Sequence, residues 1–307
     1  MSISVVTYHY VREIKKSKYP NIKGLEFVEF KDQINYLVKN YEIISTEDLI
    51  NEDFDNRKKN IILTFDDGLT DHYKYVYPFL KKKKISGSFY PGVESALHKS
   101  VLDVHKLQFI FEKVQDRKSL LSKIFKKIEL KGINIDNVLK IQKQLAQTRD
   151  NRFNDNNTDI IRNLLQYILP IELSKSIINQ LFKKHVNTNN KKFMKELYLA
   201  PKKIQEMIKN GMHFGAHGNK HVWLQYLDKE QQYSEISISK KFLKDNGVDD
   251  NYLSICYPFG SYNKTTIDVV KKLNFKIGYT TSDPKEKSDY KNLSLPRYDT
   301  NDFKNLY

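Results

Sequence analysis

Strand-like and helix-like patterns alternate over both ends of this chain, and the alternation limits the folds open to it. Strand-like runs in the first part lie at 3–10, 41–44, 61–65 and 87–90, with helical patterns at 27–39 and 73–84. The last third has strand-like runs at 212–216, 253–257 and 276–281, with helical patterns at 230–244 and 264–273. Such alternation builds βαβ units, so the sequence predicts an α/β fold with a mainly parallel sheet or barrel.

The middle of the chain lacks strand-like runs. Residues 96–199 are rich in Lys and Asn, with helical spacing of apolar residues over 120–128 and 160–168. We therefore predict one barrel formed by 1–95 and 200–307, with a helical insertion at 96–199 in one βα loop. The insertion could cover a site, bind a partner or extend the core. In the first helical pattern, we expect one apolar face from Phe30, Ile34, Leu37 and Val38.

The composition is that of a folded protein. Apolar residues make up 39% and aromatic residues 12% of the 307 residues, which is enough for a substantial core. The net charge of +15 comes from scattered lysines, so compositional bias or an anionic partner could each account for it. Zinc-finger spacing and arginine-rich arms are absent from the sequence, so we predict no nucleic-acid partner. An anionic membrane face or a nucleotide-sugar remains open.

The sequence also bears on location. Residues 1–9 carry neither a basic leader nor a sustained apolar segment, so we expect no signal peptide. Nowhere does the chain approach the roughly 20 apolar residues of a membrane-spanning helix. Cys256 is the single cysteine, which excludes an intrachain disulfide and suits a reducing compartment. We therefore predict a cytoplasmic protein, with peripheral membrane contact left open.

An acidic pair follows the most apolar strand-like run. The run ends in Thr64-Phe65-Asp66-Asp67-Gly68, and α/β folds place their sites at the carboxyl ends of buried parallel strands. Adjacent side chains on an extended chain point in different directions, so one aspartate could bind a metal while the other takes a proton. The alternative is an ordinary turn with helix-capping carboxylates.

Two histidines provide a matching pair of ligands. His217 and His221 are four residues apart, which brings two imidazoles together on a helical face or across a tight turn. Gly218, not glutamate, follows the first histidine, so this is not the zinc-protease pattern and the base must lie elsewhere; Asp66 could supply it. A coincidental surface pair is the alternative.

A third segment, Tyr257-Pro258-Phe259-Gly260, lies between a strand-like run and a helical pattern. A Pro-aromatic-Gly turn fixes backbone amides that can stabilise an oxyanion, although an ordinary βα turn would look the same. The acidic pair, the His217-x-x-x-His221 pair and this turn, in that order, resemble the polysaccharide deacetylase family. This is the NodB-homology group, also called carbohydrate esterase family 4, and the resemblance covers roughly residues 1–95 and 200–300.

The resemblance implies a distorted (β/α) barrel of about seven strands and a carbohydrate N-deacetylase. It implies that Asp67, His217 and His221 bind one divalent metal, usually zinc, with Co²⁺, Ni²⁺ or Mn²⁺ left open. It further implies that Asp66 is the catalytic base and that the backbone amide of Phe259 is an oxyanion donor. The reaction would remove an N-acetyl group from an amino sugar.

The chain also departs from the family's pattern. Gly218 stands where members often have Ser or Thr, and Cys256 stands where many have an arginine that orients the base. We expect Arg297 to take that arginine's place from a neighbouring strand end. The family's late Leu-x-His motif, which supplies the general acid, is absent. Some relatives carry that histidine in an amino-terminal Tyr-His motif, so we expect His9 to be the general acid; a core histidine is the alternative.

The expected substrate follows from the expected cytoplasmic location of the protein. A cytoplasmic enzyme of this family would act on a nucleotide-linked or lipid-linked amino sugar destined for a surface polysaccharide. The alternatives are a deformylase, another small-amide deacylase of an amino sugar, or a non-catalytic carbohydrate-binding relative.

Overall fold

The computed structural model describes residues 3–147, 156–282 and 291–300. Its contacts divide the chain into two compact units. The first contains Met1–Ser17, Gly24–Ser100 and Lys191–Tyr307, and the second contains Lys18–Lys23 and Val101–Asn190. The domain boundaries drawn from the sequence, a barrel at 1–95 and 200–307 around an insertion at 96–199, stay a prediction. Residues 1–2, 148–155, 283–290 and 301–307 of these two segments lie outside the described part of the chain.

Ten strands and thirteen α-helices are present among the described residues. The strands are β1 Ile3–Tyr8, β2 Val11–Arg12, β3 Leu25–Glu26, β4 Glu42–Ile43, β5 Asn60–Asp66, β6 Ser88–Tyr90, β7 His213–Phe214, β8 Ser254–Cys256, β9 Ile277–Tyr279 and β10 Tyr298–Asp299. The helices are α1 Phe27–Asn40, α2 Thr46–Asn51, α3 Tyr77–Lys83, α4 Val93–Ala96, α5 Asp103–Lys113, α6 Arg117–Glu129, α7 Ile135–Gln147, α8 Asn156–Asn163, α9 Ile171–His185, α10 Asn190–Leu197, α11 Pro201–Lys209, α12 Lys229–Asp245 and α13 Lys264–Lys272.

Seven of these strands follow one another around a ring in the first unit. Parallel pairing runs in the order β10-β1-β5-β6-β7, and β8 pairs with β9. Single parallel bridges, Ala216 with Ile255 and Tyr279 with Leu295, join β7 to β8 and β9 to the segment before β10. The predicted distorted (β/α) barrel with about seven strands is thereby confirmed. The carboxyl ends of its parallel strands lie at one end, where barrel enzymes carry their sites.

The core of the first unit is centred on β5, which is buried along its whole length. Phe65 stacks on Phe89, with ring centroids 4.8 Å apart, and Phe89 stacks on Phe214 at 5.4 Å. Burial of each such ring stabilises the fold by roughly 1.5–3 kcal/mol. This packing fixes the strand that ends in the acidic pair.

Helix α1 covers one side of this core. Phe30, Ile34 and Leu37 are fully buried, as predicted, but Val38 is 47% exposed. The prediction for Val38 is wrong because successive helical residues are turned by about 100°, which carries the neighbour of Leu37 off the buried face.

The second unit, taken by itself, is helical. Leu120, Ile124 and Ile128 of α6 are buried, and so are Ile161 of α8 and Leu164 in the π-helical turn that follows it. Helical structure over 120–128 and 160–168 is therefore confirmed. Among the described residues, no helix is both long enough and apolar enough to cross a bilayer.

Candidate active site

The acidic pair lies where β5 leaves the barrel. Asp66 is the last residue of the strand, whereas Asp67 has a φ of 71° and Gly68 a φ of 61°. The expectation that both aspartates lie on an extended chain is therefore wrong for Asp67. The turn needs glycine at Gly68, because a Cβ there would come within 2.6 Å of the Pro91 Cβ. This left-handed turn gives the two carboxylates separate surroundings.

Asp66 is held by a two-pronged ion pair with Arg297. Nη1 of Arg297 donates to Oδ1 at 3.0 Å, and Nη2 donates to Oδ2 at 2.8 Å. Both side chains are almost fully buried. The Arg297 guanidinium also donates to the Thr64 hydroxyl at 3.0 Å and to the Thr280 carbonyl oxygen at 2.8 Å. The structure thus places Arg297 against Asp66; the catalytic roles of the two residues stay predictions.

The ion pair with Arg297 determines the charge state of Asp66. Burial by itself raises the pKa of this carboxyl, but the charges of Arg297 and His217 and the hydrogen bonds from Arg297 outweigh it. The pKa of Asp66 is consequently held well below its usual range, so the side chain is ionised at neutral pH.

Asp67, His217 and His221 converge a short distance away. Oδ1 of Asp67 lies 3.5 Å from Nε2 of His217 and 3.4 Å from Nε2 of His221. The candidate ligand atoms of the three residues all lie within 4.8 Å of one another. The Nδ1 of His217 donates to the Cys256 carbonyl oxygen at 2.7 Å, which directs its Nε2 towards Asp67.

This donor set fits a divalent metal. Two imidazole nitrogens and one carboxylate oxygen form the ligand type of catalytic zinc sites, which keep a further position for water or substrate. The hydrogen bond to His217 supplies the outer support that such ligands need. A second group, Asp66, His217 and Cys256, also has its candidate ligand atoms within 4.8 Å of one another. Its carboxylate is already bound by Arg297, so Asp67 and the two histidines are the better candidates for a metal site.

The histidines come from a loop and not from a helix. Residues 217–223 follow the bridge at Ala216 without helical structure. Gly218 has a φ of 72° and His221 a φ of 55°. Of the two geometries that the spacing allowed, the structure has the turn after a strand.

His9 reaches the same place from the end of β1. Its Nε2 lies 3.9 Å from Oδ2 of Asp66, and its side chain is 44% exposed, which excludes a core histidine. The backbone carbonyl of His9 accepts a hydrogen bond from Nε2 of His72 at 2.9 Å. Burial lowers the pKa of His72 to about 4, so this donor is a neutral imidazole at pH 7.

The Pro258–Gly260 turn completes the site. Phe259 has a φ of 59°, and its ring stacks on Trp223 at 4.3 Å and meets the edge of His221 at 4.5 Å. A Cβ at Gly260 would come within 2.2 Å of the Thr281 hydroxyl oxygen. A left-handed conformation at Phe259 costs on the order of 1–3 kcal/mol, which the ring contacts help to offset. The turn is therefore a specialised one that sets the ring of Phe259 against His221.

A comparison with protein families identifies the chain. The model of the family described as polysaccharide deacetylase matches residues 53–137 and 141–278. This chain belongs to the polysaccharide deacetylase family. The three motifs that suggested the family lie within the matched residues, whereas His9 and Arg297 lie outside them.

Individual relatives agree with this membership. The provisionally named polysaccharide deacetylase YxkH of Bacillus subtilis is 34% identical over 84 residues, which are 27% of this chain and 30% of that protein. The Streptococcus pyogenes deacetylase PplD, solved in complex with acetate, superposes with a TM-score of 0.61 and 19% identity, covering 100% of this chain and 96% of that one. IcaB from Ammonifex degensii gives a TM-score of 0.55 and 14% identity, covering 100% and 97%. These likenesses show the NodB-like deacetylase fold.

Several contacts at this site of the deacetylase-family chain were not predicted from the sequence. The Cys256 thiol donates to Oδ2 of Asp66 at 3.3 Å, and Trp223 packs on Phe259. Glu235 accepts hydrogen bonds from the loop that carries the two histidines. Trp223, the single tryptophan, lies two residues after His221 and could have been suspected. Glu235 lies in the next helix, and nothing in the local sequence distinguishes it from other surface-type glutamates.

Proposed function

We propose that this protein is a metal-dependent hydrolase that removes an N-acetyl group from an amino sugar. One observation carries the proposal: Asp67, His217 and His221 converge beside a buried, arginine-paired aspartate and a half-exposed histidine. A metal site, an ionised base and an accessible acid are what hydrolysis of an unactivated amide requires. Acetate in the PplD structure is the product that such a reaction would release.

Each residue has a role that its position supports. A zinc ion, when bound by Asp67 and the two histidines, would polarise the amide carbonyl and acidify water. Asp66 accepts the proton of the attacking water on a carboxylate oxygen, while Arg297 keeps that carboxylate oriented. Nε2 of His9 donates a proton to the leaving amine nitrogen.

The turn adds stabilisation of the charge that develops on the carbonyl oxygen. The backbone amide of Phe259 is the proposed donor, since a preorganised N–H costs no reorganisation during the reaction. The stacking of Phe259 on Trp223 would keep that amide in place.

We further propose the substrate class and setting. The substrate is a nucleotide-linked or lipid-linked amino sugar of surface-polysaccharide biosynthesis, and the enzyme works in the cytoplasm, with contact to the membrane face. The single cysteine, Cys256, is buried and forms no disulfide, and a chain without disulfides suits that compartment. The net charge of +15 suits an anionic nucleotide or headgroup.

The test measures metal content and product together. Purified wild-type protein and His217→Ala would be assayed for zinc by elemental analysis and for acetate release from UDP-N-acetylglucosamine and from a lipid-linked N-acetylated sugar. His185→Ala, a histidine of the second unit, is the matched control. We expect about one zinc per chain in wild type and control, lost together with activity in His217→Ala.

Other outcomes separate the alternatives. Release of formate from N-formylated sugars without release of acetate would make the protein a deformylase. Zinc with no acyl release from any of these sugars would contradict the proposed substrate class. Sugar binding without zinc in the wild type would contradict the hydrolase and identify a carbohydrate-binding relative.

A further inference from the structure

The loop between the two metal-site histidines is held by a carboxylate from outside the loop. Glu235 lies on α12 and is only 8% exposed. Its Oε2 accepts hydrogen bonds from the backbone amides of Asn219 and Lys220, both at 2.9 Å. A buried carboxylate that receives two N–H groups forms charge-assisted bonds, which are about twice as strong as neutral ones.

The opposite side of the same loop is also tied down. The carbonyl oxygen of Gly218 accepts from the Val93 amide at 3.2 Å, and that of Asn219 accepts from the Glu94 amide at 3.0 Å. The loop is thus fixed through its carbonyls by α4 and through its amides by Glu235.

The loop needs such outside support because of its backbone. Gly218 and His221 both have left-handed φ values, 72° and 55°, and this conformation is costly for His221. Glycine at position 218 has no side chain with which to brace the loop. A Cβ placed there would lie 3.6 Å from the Glu235 carboxylate and 3.3 Å from Pro258, so the space beside the glycine is occupied by the supporting groups.

We infer that Glu235 is a positioning residue that holds the His217–His221 loop in its metal-binding conformation, an inference that rests on the proposed metal site. Losing its two hydrogen bonds leaves two loop amides to find other partners, and the loop can then relax. His221, whose conformation is strained, would move away from Asp67 and His217. The consequence is weaker metal binding, because residues that orient ligands typically contribute about 10- to 100-fold to metal affinity.

The test compares three substitutions at this position. Zinc affinity would be measured by competition with a chromophoric chelator, beside the melting temperature of the metal-free protein. We expect Glu235→Ala to bind zinc about 10- to 100-fold more weakly than wild type. Glu235→Gln keeps an oxygen acceptor at the same reach and should recover most of the affinity. Glu235→Asp keeps the charge, but its side chain is one CH₂ group shorter and does not reach the loop amides, so its zinc affinity should be as low as that of Glu235→Ala. It replaces Glu235→Ala in the comparison if that variant does not fold.

The outcomes separate this inference from the proposed function. Glu230→Ala, an exposed position on the same helix, is the control and should bind zinc as wild type does. Equal zinc affinity in wild type and Glu235→Ala would overturn the positioning role while leaving the hydrolase intact. A loss of affinity in Glu230→Ala as large as in Glu235→Ala would also overturn it. Failure of the wild type to bind zinc would instead refute the proposed function.

A second, independent feature is a basic groove lined by aromatic rings on the first unit. We call it the lysine–aromatic groove; its lining includes Phe27, Lys31, Lys74, Tyr75, Phe79 and Lys83. The ammonium groups of its lysines lie over the rings: Lys31 is 5.2 Å from the Phe27 centroid, Lys74 is 4.7 Å from Tyr75 and Lys83 is 5.3 Å from Phe79. The three rings are partly exposed.

We propose that the lysine–aromatic groove docks on an anionic lipid bilayer. Lysines near a membrane bind anionic headgroups, and partly exposed rings are favoured at the boundary between headgroups and acyl chains. A wholly hydrophilic polyanion would give the rings no apolar environment, so the bilayer fits the groove better. This surface would bring the protein to the leaflet where lipid-linked sugars are found.

The test is sedimentation with vesicles of phosphatidylcholine alone or with phosphatidylglycerol added. The combined substitution of Lys31, Lys74 and Lys83 by Gln should weaken binding to the anionic vesicles roughly 100-fold, because each lysine contributes near the surface. Substituting Lys229, Lys264 and Lys271 by Gln removes the same charge elsewhere and should cause a much smaller loss. Equal losses in the two variants would overturn the proposal. So would competition by a soluble polyanion without vesicle binding, which would assign the groove to an anionic polymer.

Discussion

Arg297→Met tests the central electrostatic arrangement of the site. The substitution removes a guanidinium that donates to both oxygens of Asp66, at 3.0 and 2.8 Å, while keeping a flexible apolar side chain in its place. Burial then raises the pKa of the Asp66 carboxyl without the positive charge of Arg297 to oppose it. The variant should lose both stability and activity, for the same physical reason.

The loss of stability can be estimated from the burial of the pair. Both side chains are at most 3% exposed, and removing one partner of a buried ion pair costs about 3–5 kcal/mol because the other charge stays uncompensated. Domains are usually stable by only about 5–15 kcal/mol. We therefore expect a large fall in the urea midpoint and a Tm lower by roughly 10 °C.

The pH dependence has a definite sign. In the wild type the depressed pKa of Asp66 stabilises the folded state above about pH 4, and this contribution is lost as the pH falls. In Arg297→Met the pKa rises, so the carboxyl binds its proton at higher pH. The acid limb of the pH profile of kcat/KM should therefore move to higher pH.

Urea unfolding and acetate release as functions of pH would measure both effects. The double variant Asp66→Asn/Arg297→Met removes both charges and should regain much of the stability without regaining activity. Wild-type stability together with an unmoved acid limb in Arg297→Met would refute the reasoning.

Three further predictions follow from other parts of the site. His9→Ala should lower kcat by about 10²- to 10⁴-fold with zinc content unchanged; an unchanged rate would remove His9 from the mechanism. The buried His72, with its pKa near 4, stays neutral while the unfolded chain binds a proton, so the contribution of His72 to the free energy of unfolding should fall by about 3 kcal/mol between pH 6.5 and 4. His72→Gln keeps a donor for the His9 carbonyl, and urea unfolding should show a smaller fall; an equal fall would contradict the assignment. Gly260→Ala, with 2.2 Å between its Cβ and the Thr281 hydroxyl, should lower the Tm; a wild-type Tm would show that the turn adapts freely.

Much of the fold could be predicted because its signals are local. The buried strand β5, the helix at Phe27–Asn40 and the helical middle all show in the spacing of apolar residues, which follows the repeat of each element. The order of the strands around the ring is harder to predict from the sequence, because the spacing of apolar residues does not show which strands pair. Short strands such as β10 carry too little pattern to be read, because two residues have no measurable period.

The candidate site, like the fold, could be predicted from the sequence only where its signals are local. Short motifs in the sequence contain Asp66, Asp67, His217, His221 and Phe259, so the sequence alone was enough to suggest the family and these candidate site residues. It left open whether the histidines lie on a helix or a turn. The left-handed conformation of Asp67 also went unpredicted, because backbone strain depends on the packing around it.

From the sequence alone it follows that this chain alternates strands with helices and carries the motifs of the polysaccharide deacetylase family. Which groups contact those residues became clear from the folded chain: Arg297 binds Asp66 from 231 positions away, and Glu235 accepts a hydrogen bond from the histidine loop although it lies on a later helix. The physical reason is that side-chain periodicity is local, whereas an ion pair or a loop contact depends on which strands become neighbours when the barrel closes.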